Sequence, residues 1–574
     1  MKNIFYAILL LSFSHPSCAQ YSLFDDSYLH EIRITSTDPN FWQTLSDDWA
    51  AGGDIPYQNT TVEIDGNVLL EVGVRQKGFS SNFFVSTTKK PLKLKFNEFI
   101  EDREFDGVRR LNLMNGVGDP ALIKDKLAYD MFRFHGIPGP RVAHTKLFIN
   151  DVYWGVYGMI EQIDKRYLKR NFADDDGNLW KNQGNSDLSW LGENPDNYTF
   201  ELQTNEEEND WSKFLGFVDF INNATDIEFE NDFTDIFHLD EYLRIVAIDV
   251  LINNWDSYHE HGRNWYMYHE PKSNKMHWMP WDYNFAFDRA TNGDGDLDLI
   301  QNNFGKILNV RIFNTPELRT RVMDYMCELL DYNFVSARLT PMMDAQVDLI
   351  EEDWDSSNNF FTFQTIENYI DGTVWTGSPI GFGAYQSLKD FMIDRRISIQ
   401  TDLNNQGHTC NVLPEAVAQQ DLVINEFMAD NDDDSPWSDQ DGEFDDWIEL
   451  YNNTNQPINL ENYFLSDTST FEHKWELPNI EIPANGYLIV WADKDVEQAG
   501  LHTKFSLDKD GEQIILSYID GSIIDSVVFD EQEGNISMSR IPNGTGPFVV
   551  TPAVTFATSN DILDDLIFVN GFEN

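Results

Sequence analysis

Residues 253–288 decide the fold of this chain and read NNWDSYHEHGRNWYMYHEPKSNKMHWMPWDYNFAFD. Three polar residues in this stretch, Asp256, Asn264 and Asp282, each lie beside strongly apolar or aromatic sequence. Two carboxylates and an amide with this spacing can hold a divalent cation against a polyphosphate, and they can orient a hydroxyl for attack on the terminal phosphate. The stretch therefore predicts a metal-dependent phosphate site next to a β-hairpin.

The three polar residues fall within short motifs, which read Asn254-Trp255-Asp256, Asn264-Trp265-Tyr266 and Pro280-Trp281-Asp282-Tyr283-Asn284. In this order the stretch resembles the core of the CotH kinase-like family, which is named for spore coat protein H. The resemblance implies an atypical protein-kinase-like fold and phosphate transfer from ATP. It implies that Asp256 is the catalytic aspartate, that Asp282 is the metal ligand corresponding to the aspartate of the kinase DFG motif, and that Asn264 helps to hold a second metal.

Segments upstream also match the family's order, over about residues 25–400. They read VRQKGFSS (74–81), KKPLKLKF (89–96), DPALIKDKLAYDMF (119–132), YWGVYGMIEQIDKRY (153–167) and GNLWK (177–181). By this resemblance Lys181 contacts the phosphates, and Glu161 positions that lysine.

The sequence departs from ordinary protein kinases in two respects. Asp256 and Asn264 are eight positions apart, whereas kinases place the corresponding residues five positions apart. The sequence also has no GxGxxG loop. We therefore expect the hairpin segment that carries Arg75, Lys77 and Ser80 to cover the phosphates of ATP.

The motif residues also have purely structural interpretations. Asp256 can cap a helix or turn, and Asp282 can belong to a plain turn. A zinc site is a weaker alternative because the sequence has no HExxH or CxxC pattern. Its candidate ligands are His259, His261, His269 and His277. The complete Asp–Asn–Asp series favours a functional site over these interpretations.

The chain is strongly acidic. Its 574 residues include 97 acidic and 40 basic ones, which gives a formal net charge of −57. Such a chain repels nucleic acid and anionic membranes, so we exclude both as partners. The length predicts about two to four domains.

Residues 1–19 are typical of a secretory signal peptide. A basic second residue precedes an apolar run over residues 4–13, and small residues before Gln20 form a cleavage site. No later apolar run approaches the ~20 residues that are needed to span a bilayer. We therefore expect a secreted, periplasmic or cell-surface protein without a membrane span.

Cys327 and Cys410 are the cysteines that remain after this cleavage. An exported location permits a disulfide between them. A buried free thiol at Cys327 is the alternative, because that residue lies in a segment with helical spacing.

The order of patterns along the chain predicts its domains. Residues 20–410 begin with strands and end with helices, which is typical of an α+β body, and the resemblance implies two kinase-like lobes. A polar linker at 411–420 precedes residues 421–560, whose short, regularly spaced strands predict an all-β sandwich. Residues 561–574 form a tail.

The sandwich resembles a lamin-tail domain, which is an Ig-like fold. Its marks read INE (424–426), DWIELYN (446–452), LSD (465–467), GYL (486–488) and SRIPNG (539–544). The resemblance implies a binding or spacer module of exported bacterial proteins, without chemistry of its own.

Two acidic loops suggest structural Ca²⁺. Their oxygen-bearing residues are Asn292, Asp294, Asp296 and Asp298 in the first loop, and Asp439, Asp441, Glu443, Asp445 and Asp446 in the second. The first loop lacks the closing glutamate of an EF-hand. For the second, a solvated guard of an edge strand is the alternative.

These features predict an exported CotH-like atypical kinase. It would use ATP with Mg²⁺ or Mn²⁺ and transfer the γ-phosphate to Ser or Thr of an exported or cell-surface protein. The alternative is a non-catalytic surface or adhesion protein that keeps the kinase-like fold as a scaffold and binds polysaccharide or cell envelope, in part through the lamin-tail domain.

Overall fold

The fold was analysed in a computed structural model. It describes residues 22–83, 85, 87–287, 305–371, 375–376, 384–410, 416–432, 435–469 and 473–561. The predicted signal peptide, the first acidic loop at 292–298, residues 411–415 of the linker and the tail from 562 lie outside the described residues.

The N-terminal part is a closed seven-stranded barrel. Its strands are β1 (His30–Thr35), β2 (Gln58–Ile64), β3 (Asn67–Gln76), β4 (Leu92–Lys95), β5 (Arg110–Met114), β6 (Val142–Ile149) and β7 (Val152–Glu161). The strand order is β1-β2-β3-β4-β5-β7-β6, and a parallel pairing of β6 with β1 closes the barrel. Alternate residues such as Ile32, Leu94 and Leu111 point inward and form its apolar core.

Helices accompany the barrel and then dominate the chain. They are α1 (Phe41–Ala51), α2 (Ser80–Phe83), α3 (Lys124–Phe134), α4 (Lys165–Asn171), α5 (Ser212–Asn223), α6 (Asp226–Asp232), α7 (Leu239–Leu251), α8 (Ile307–Asn314), α9 (Pro316–Glu328), α10 (Ser336–Glu351), α11 (Phe363–Ile370) and α12 (Leu388–Asn405). Every residue of 242–251 in α7 is buried. A helix that is buried on all sides lies at the centre of its domain, and α7 fills that place here.

A second sheet lies within this helical body. Its strands are β8 (Leu179–Asn182), β9 (Phe200–Leu202), β10 (Trp265–Glu270) and β11 (Lys275–Pro280), in the order β11-β10-β8-β9. The short strands β12 (Trp375–Thr376) and β13 (Ala384–Tyr385) pair with each other. The prediction of a mixed α+β body is confirmed.

The C-terminal part consists of strands. They are β14 (Leu422–Met428), β15 (Trp447–Asn452), β16 (Ile458–Asn459), β17 (Tyr463–Ser466), β18 (Trp475–Glu476), β19 (Glu481–Ile482), β20 (Tyr487–Trp491), β21 (Gln513–Tyr518), β22 (Ile523–Val528), β23 (Ser537–Arg540) and β24 (Phe548–Thr551). A five-stranded sheet in the order β20-β15-β14-β23-β24 and a four-stranded sheet in the order β18-β17-β21-β22 enclose one apolar core.

Covalent and ionic links connect the parts of the chain. A disulfide joins Cys327 of α9 to Cys410, with 5.3 Å between their Cα atoms. The structure thus has the bridge rather than the free thiol. From α7, Arg244 contacts Glu476 of the sandwich at 2.7 Å. No helix in the described ranges combines the length and apolar character needed to cross a bilayer.

Candidate active site

One cleft contains all of the predicted site residues except Glu161. Its volume is about 550 Å³. The predicted residues that line it are Arg75, Lys77, Ser80, Lys181, Asp256, Asn264 and Asp282. The outer face of the barrel at β3 and β4 forms one wall. The open end of the β10–β11 hairpin and strand β8 form the other, so residues that are distant in sequence meet across one space.

The hairpin places Asn264 and Asp282 side by side. Asn264 immediately precedes β10, and Asp282 follows two residues after Pro280, which pairs with Trp265. The backbone N–H of Trp281 donates to the Asn264 carbonyl at 3.1 Å. Asn264 and Asp282 both have φ of 63°, in the left-handed region that Asn and Asp tolerate better than other side chains. Backbone strain of this kind is common at functional sites.

The long gap between Asp256 and Asn264 closes. The Asn264 amide donates to Oδ2 of Asp256 at 3.0 Å and to the Asp256 carbonyl at 2.9 Å. The intervening residues form a tight turn, in which the backbone N–H of Gly262 donates to the Ser257 carbonyl at 2.9 Å. The extra residues are therefore accommodated without separating the aspartate from the asparagine.

The histidines near the site have structural roles. His259 contacts Asp249 at 3.0 Å, and a ring nitrogen of His261 lies 2.7 Å from the Trp255 carbonyl oxygen. Among the residues that the structure describes, His277 is the one of the four suggested zinc ligands that groups with other possible metal donors, His238 and Glu241. The Glu241 carboxylate also forms an ion pair with the Lys504 ammonium at 2.8 Å, so its negative charge is already balanced by a side chain.

Positive charge converges on the cleft from three strands. Lys77 follows β3, Lys93 lies on β4 and Lys181 lies on β8. The Lys77 ammonium lies 5.6 Å from the centre of the Trp281 ring. Burial lowers the pKa of Lys77 to about 8, although the Asp282 carboxylate opposes this shift. The cleft can therefore neutralise a polyanion.

Lys93 was not among the predicted site residues. It lies opposite Arg75 in the β3–β4 ladder, on the outer face of the barrel. Burial, together with the positive charges of Lys77 and Lys181, holds its pKa well below the usual range of a lysine. A phosphate group in the cleft would relieve this repulsion. The alternation of lysines with leucines in β4 was the available signal, since it places Lys93 on the face opposite to the core-facing leucines.

The carboxylates are partly desolvated. The Asp256 side chain is 13% exposed, and burial with the nearby Asp282 carboxylate raises its pKa to about 6. Burial also raises the pKa of Asp282, whereas Lys77 and Lys181 oppose the rise. Within the described chain, Oδ1 of Asp256 and Oδ1 of Asp282 are buried without a hydrogen-bond partner. A guanidinium nitrogen of Arg263 lies 3.7 Å from Oδ1 of Asp256, whereas Oδ1 of Asp282 marks a place that a metal cation can occupy.

A third acidic side chain lies behind Asp282. Asp125 of α3 is buried, and its Oδ1 accepts the backbone N–H of Tyr283 at 2.8 Å. Burial and the Asp282 carboxylate raise the pKa of Asp125 to about 8. Sequence reasoning missed this residue. Its segment was recognised, but its contact with the hairpin depends on the tertiary packing of α3.

Glu161 does not line the cleft that holds the other predicted site residues. Its carboxylate binds Arg141 at 3.0 Å and Arg170 at 2.5 Å. Burial would raise its pKa, but the two guanidinium groups outweigh burial and lower it to about 2. The side chain of the next residue, Gln162, lines the cleft instead. Successive residues of an extended strand face opposite sides, so Glu161 points away from Lys181.

Comparison with known families agrees with these motifs. A family model described as CotH kinase protein matches residues 74–398, more than half of the 574-residue chain. The chain belongs to this family. A second model, described as Lamin Tail Domain, matches residues 415–531. Both predicted resemblances are confirmed, and the CotH match includes every predicted site residue.

Three known proteins have sequences similar to this chain. The CotH-family chain is 27% identical over 263 residues to the inner spore coat protein H of Bacillus subtilis, which covers 44% of this chain and 70% of that protein. It is 21% identical to spore coat protein homolog 1 and 21% identical to invasin CotH3, both of Rhizopus delemar. These matches cover 56% and 50% of this chain, and they span only 56% and 52% of the two fungal proteins.

In this CotH-family chain the predicted phosphate-contacting lysine lies in the four-stranded sheet and not in the barrel. Lys181 is on β8, which pairs with β10 of the hairpin through the register Lys181–Tyr266. Lys181 and the hairpin that carries Asn264 and Asp282 therefore belong to one sheet. The barrel supplies Arg75, Lys77 and Lys93 from the opposite wall.

Proposed function

We propose that this CotH-family protein is an exported kinase that transfers the γ-phosphate of ATP to Ser or Thr of a protein and requires Mg²⁺ or Mn²⁺. The observation that carries the proposal is the convergence of lysines with the Asp256–Asn264–Asp282 set in one cleft. Lysines suit the phosphates, and an oxygen-only donor set suits a hard divalent cation. The barrel and the helical body, as the two walls of the cleft, support a two-lobed kinase-like arrangement.

The residues present fit a divalent cation. Asp282 and Asn264 offer oxygen atoms at the open end of the hairpin, and the buried Oδ1 of Asp282 has no hydrogen-bond partner among the described residues. These two residues would hold the metal, with Asp256 beside them. When bound, the metal shields the negative charge of the transferred phosphate group.

Asp256 is suited to accept the proton of an attacking hydroxyl. A pKa of about 6 leaves its carboxylate mostly ionised at neutral pH, while keeping it more basic than an exposed aspartate. The Asn264 amide fixes Oδ2 of Asp256, and a guanidinium nitrogen of Arg263 lies 3.7 Å from Oδ1. Asp256 would orient the hydroxyl and take its proton as the new bond to the γ-phosphorus forms and the bond to the leaving oxygen of ADP breaks.

The lysines act by position and charge. Lys93 and Lys181 lie on strands and Lys77 directly follows one, so little reorganisation would accompany phosphate binding. The negative charge of the phosphates favours the ammonium form of each lysine. Catalysis in such a site consists mostly of positioning and electrostatic stabilisation.

Several observations support export to the cell surface or beyond. The Cys327–Cys410 bridge is of the kind that persists in oxidising compartments. Two relatives are named as spore coat proteins and one as an invasin, and these names also favour a surface location.

A phosphotransfer assay tests the proposal. The purified mature chain is incubated with labelled ATP and Mg²⁺ or Mn²⁺, alone and with Ser/Thr-rich exported proteins. Asp256→Asn should reduce label transfer by a factor of about 10² to 10⁴, the usual contribution of a general base. Glu207→Gln, a charge-matched change at an exposed residue, should transfer label at the native rate. Unchanged transfer by Asp282→Asn would refute the site assignment.

A second candidate function is a non-catalytic surface protein. The names of the relatives favour it, because a coat protein or an invasin need not be an enzyme. Under this hypothesis the native chain would transfer no label, and Mg·ATP would not raise its melting temperature. A ligand at 100 times its dissociation constant adds about 2.7 kcal/mol of stability, so the absence of any shift would be decisive.

A further inference from the structure

The loop between β14 and β15 of the lamin-tail domain gathers three carboxylates. Asp439, Glu443 and Asp445 each place an oxygen so that all three oxygens lie within 4.8 Å of one another. No lysine or arginine of the described chain forms an ion pair with any of the three. Like charges this close repel one another unless a cation lies between them.

The arrangement of Asp439 points to a missing ligand. Its side chain is held in place because Oδ1 accepts the backbone N–H groups of Asp441 at 3.0 Å and Glu443 at 2.8 Å. The residue is 8% exposed, yet its Oδ2 has no hydrogen-bond partner in the part of the chain that the structure describes. Oδ2 of Asp445 is also buried without a partner there. Native proteins seldom leave such oxygens unpaired, because desolvating them without a donor is costly.

The neighbouring residues add negative charge. The Asp493 side chain is 2% exposed and binds His502 at 2.6 Å, so its own carboxylate is paired. Asp493, Glu443 and Asp439 all act electrostatically on Asp445, so the cluster concentrates negative charge at one place.

The donor chemistry selects the ion. The three side chains offer carboxylate oxygens, which hard cations prefer, and none is a thiolate or an imidazole. Glu443 is exposed and can adjust, and the loop is irregular. Ca²⁺ accepts six to eight oxygens in variable geometry, whereas Mg²⁺ demands a near-ideal octahedron and keeps much of its water. We infer that Asp439, Glu443 and Asp445 form a Ca²⁺ site of the lamin-tail domain.

Ca²⁺ at this site would order a loop that reaches the kinase-like body. Gln498 donates to Glu443 at 2.8 Å and lies next to Glu497. Glu497 contacts Lys275 of the β10–β11 hairpin at 3.1 Å. The adjacent residues Glu497 and Gln498 therefore connect the proposed Ca²⁺ site to the sheet that contains β10 and β11.

Hydrogen exchange followed by mass spectrometry tests the inference on the full chain. The protein is stripped with a chelator and measured with and without millimolar Ca²⁺, and in parallel with the same concentration of Mg²⁺. Ca²⁺ should slow exchange in peptides that cover residues 431–447. Equal protection by Mg²⁺, or no Ca²⁺-dependent protection of these peptides, would overturn the assignment.

Three variants locate the ion. Asp439→Asn keeps an oxygen to accept the two backbone N–H groups but removes the charge, and we expect Ca²⁺ affinity to fall at least about tenfold. Asp445→Asn should do the same, and it provides an independent test if Asp439→Asn does not fold. Asp441→Asn is the matched control in the same loop, because Asp441 is exposed and outside the cluster, and it should keep native affinity. Native affinity in both Asp439→Asn and Asp445→Asn would refute the site.

Discussion

The buried carboxylate of Asp256 should lower the free energy of unfolding of the protein at neutral pH. Its pKa rises from an ordinary value of 3.8 to about 6 through burial and the nearby Asp282 carboxylate. A rise of about two units corresponds to a free energy on the order of 3 kcal/mol, at 1.36 kcal/mol per unit. We therefore expect Asp256→Asn to stabilise the metal-free protein by an amount on the order of 3 kcal/mol at pH 8. The substituted amide keeps an oxygen that accepts the Asn264 side chain.

The stabilisation by Asp256→Asn should increase as pH rises. The folded-state pKa of Asp256 is higher than its unfolded value, so the folded state binds more protons between about pH 4 and pH 6. Well below pH 3.8 the Asp256 carboxyl is protonated in both states and does not affect the free energy of unfolding. The destabilisation by the buried carboxyl grows as pH rises from about 4 to 6 and then stays constant. The stabilisation by Asp256→Asn should thus be small near pH 4 and complete above about pH 7.

Urea unfolding in the presence of a chelator measures this effect. Native protein, Asp256→Asn and Glu207→Gln are compared at pH 4 and pH 8, and the control corrects for the loss of one negative charge from a chain of net charge −57. A destabilised Asp256→Asn at pH 8, or an equal gain at both pH values, would refute the reasoning. A stabilised variant that no longer transfers phosphate would show that the site exchanges stability for function.

Three further changes should have separable effects. Glu161→Ala leaves two arginines without their buried carboxylate and should lower the free energy of unfolding by about 3–5 kcal/mol. Because the pKa of Glu161 is lowered to about 2, its carboxylate should stabilise the fold fully above about pH 4.5 and lose this effect as pH falls toward 2. Denaturation of the native protein and the variant at pH 7 and pH 2.5 measures the difference. Replacing Cys327 and Cys410 by serine opens a loop with a sequence separation of 83, and denaturant unfolding should show a loss of about 4.5 kcal/mol by the chain-entropy relation. Lys93→Met should weaken Mg·ATP binding in isothermal titration at least about tenfold, the equivalent of one charge-assisted hydrogen bond, and should leave the melting temperature of the free protein undiminished. Native ATP affinity in Lys93→Met would exclude that lysine from the phosphate site.

The features that could be predicted from the sequence are those formed by residues close together in the chain. Asn264 and Asp282 flank a single hairpin, so their meeting follows from the pairing of β10 with β11 and requires no distant contact. The sandwich was predictable for a similar reason, because alternation within short strands identifies each strand by itself. The eight-residue gap after Asp256 could not be judged from spacing, since its closure depends on a turn built from backbone hydrogen bonds.

Residues whose role depends on register or packing were harder to predict. Glu161 and Gln162 are neighbours in sequence, and only the closed barrel determines which of them faces the cleft. Lys93 reaches the site because it lies opposite Arg75, and this pairing is set by the β3–β4 register. Asp125 comes from a helix whose contact with the hairpin is purely tertiary.

The structure of the protein with Mn²⁺ and a non-hydrolysable ATP analogue is the most direct test of the central claim. Anomalous scattering from Mn²⁺ should give a peak in coordination contact with Asp282 and Asn264, with the triphosphate extending toward Lys77, Lys93 and Lys181. The peak should disappear in crystals of Asp282→Asn. A nucleotide bound elsewhere, or a cleft without Mn²⁺ at saturating concentration, would contradict the proposed kinase site.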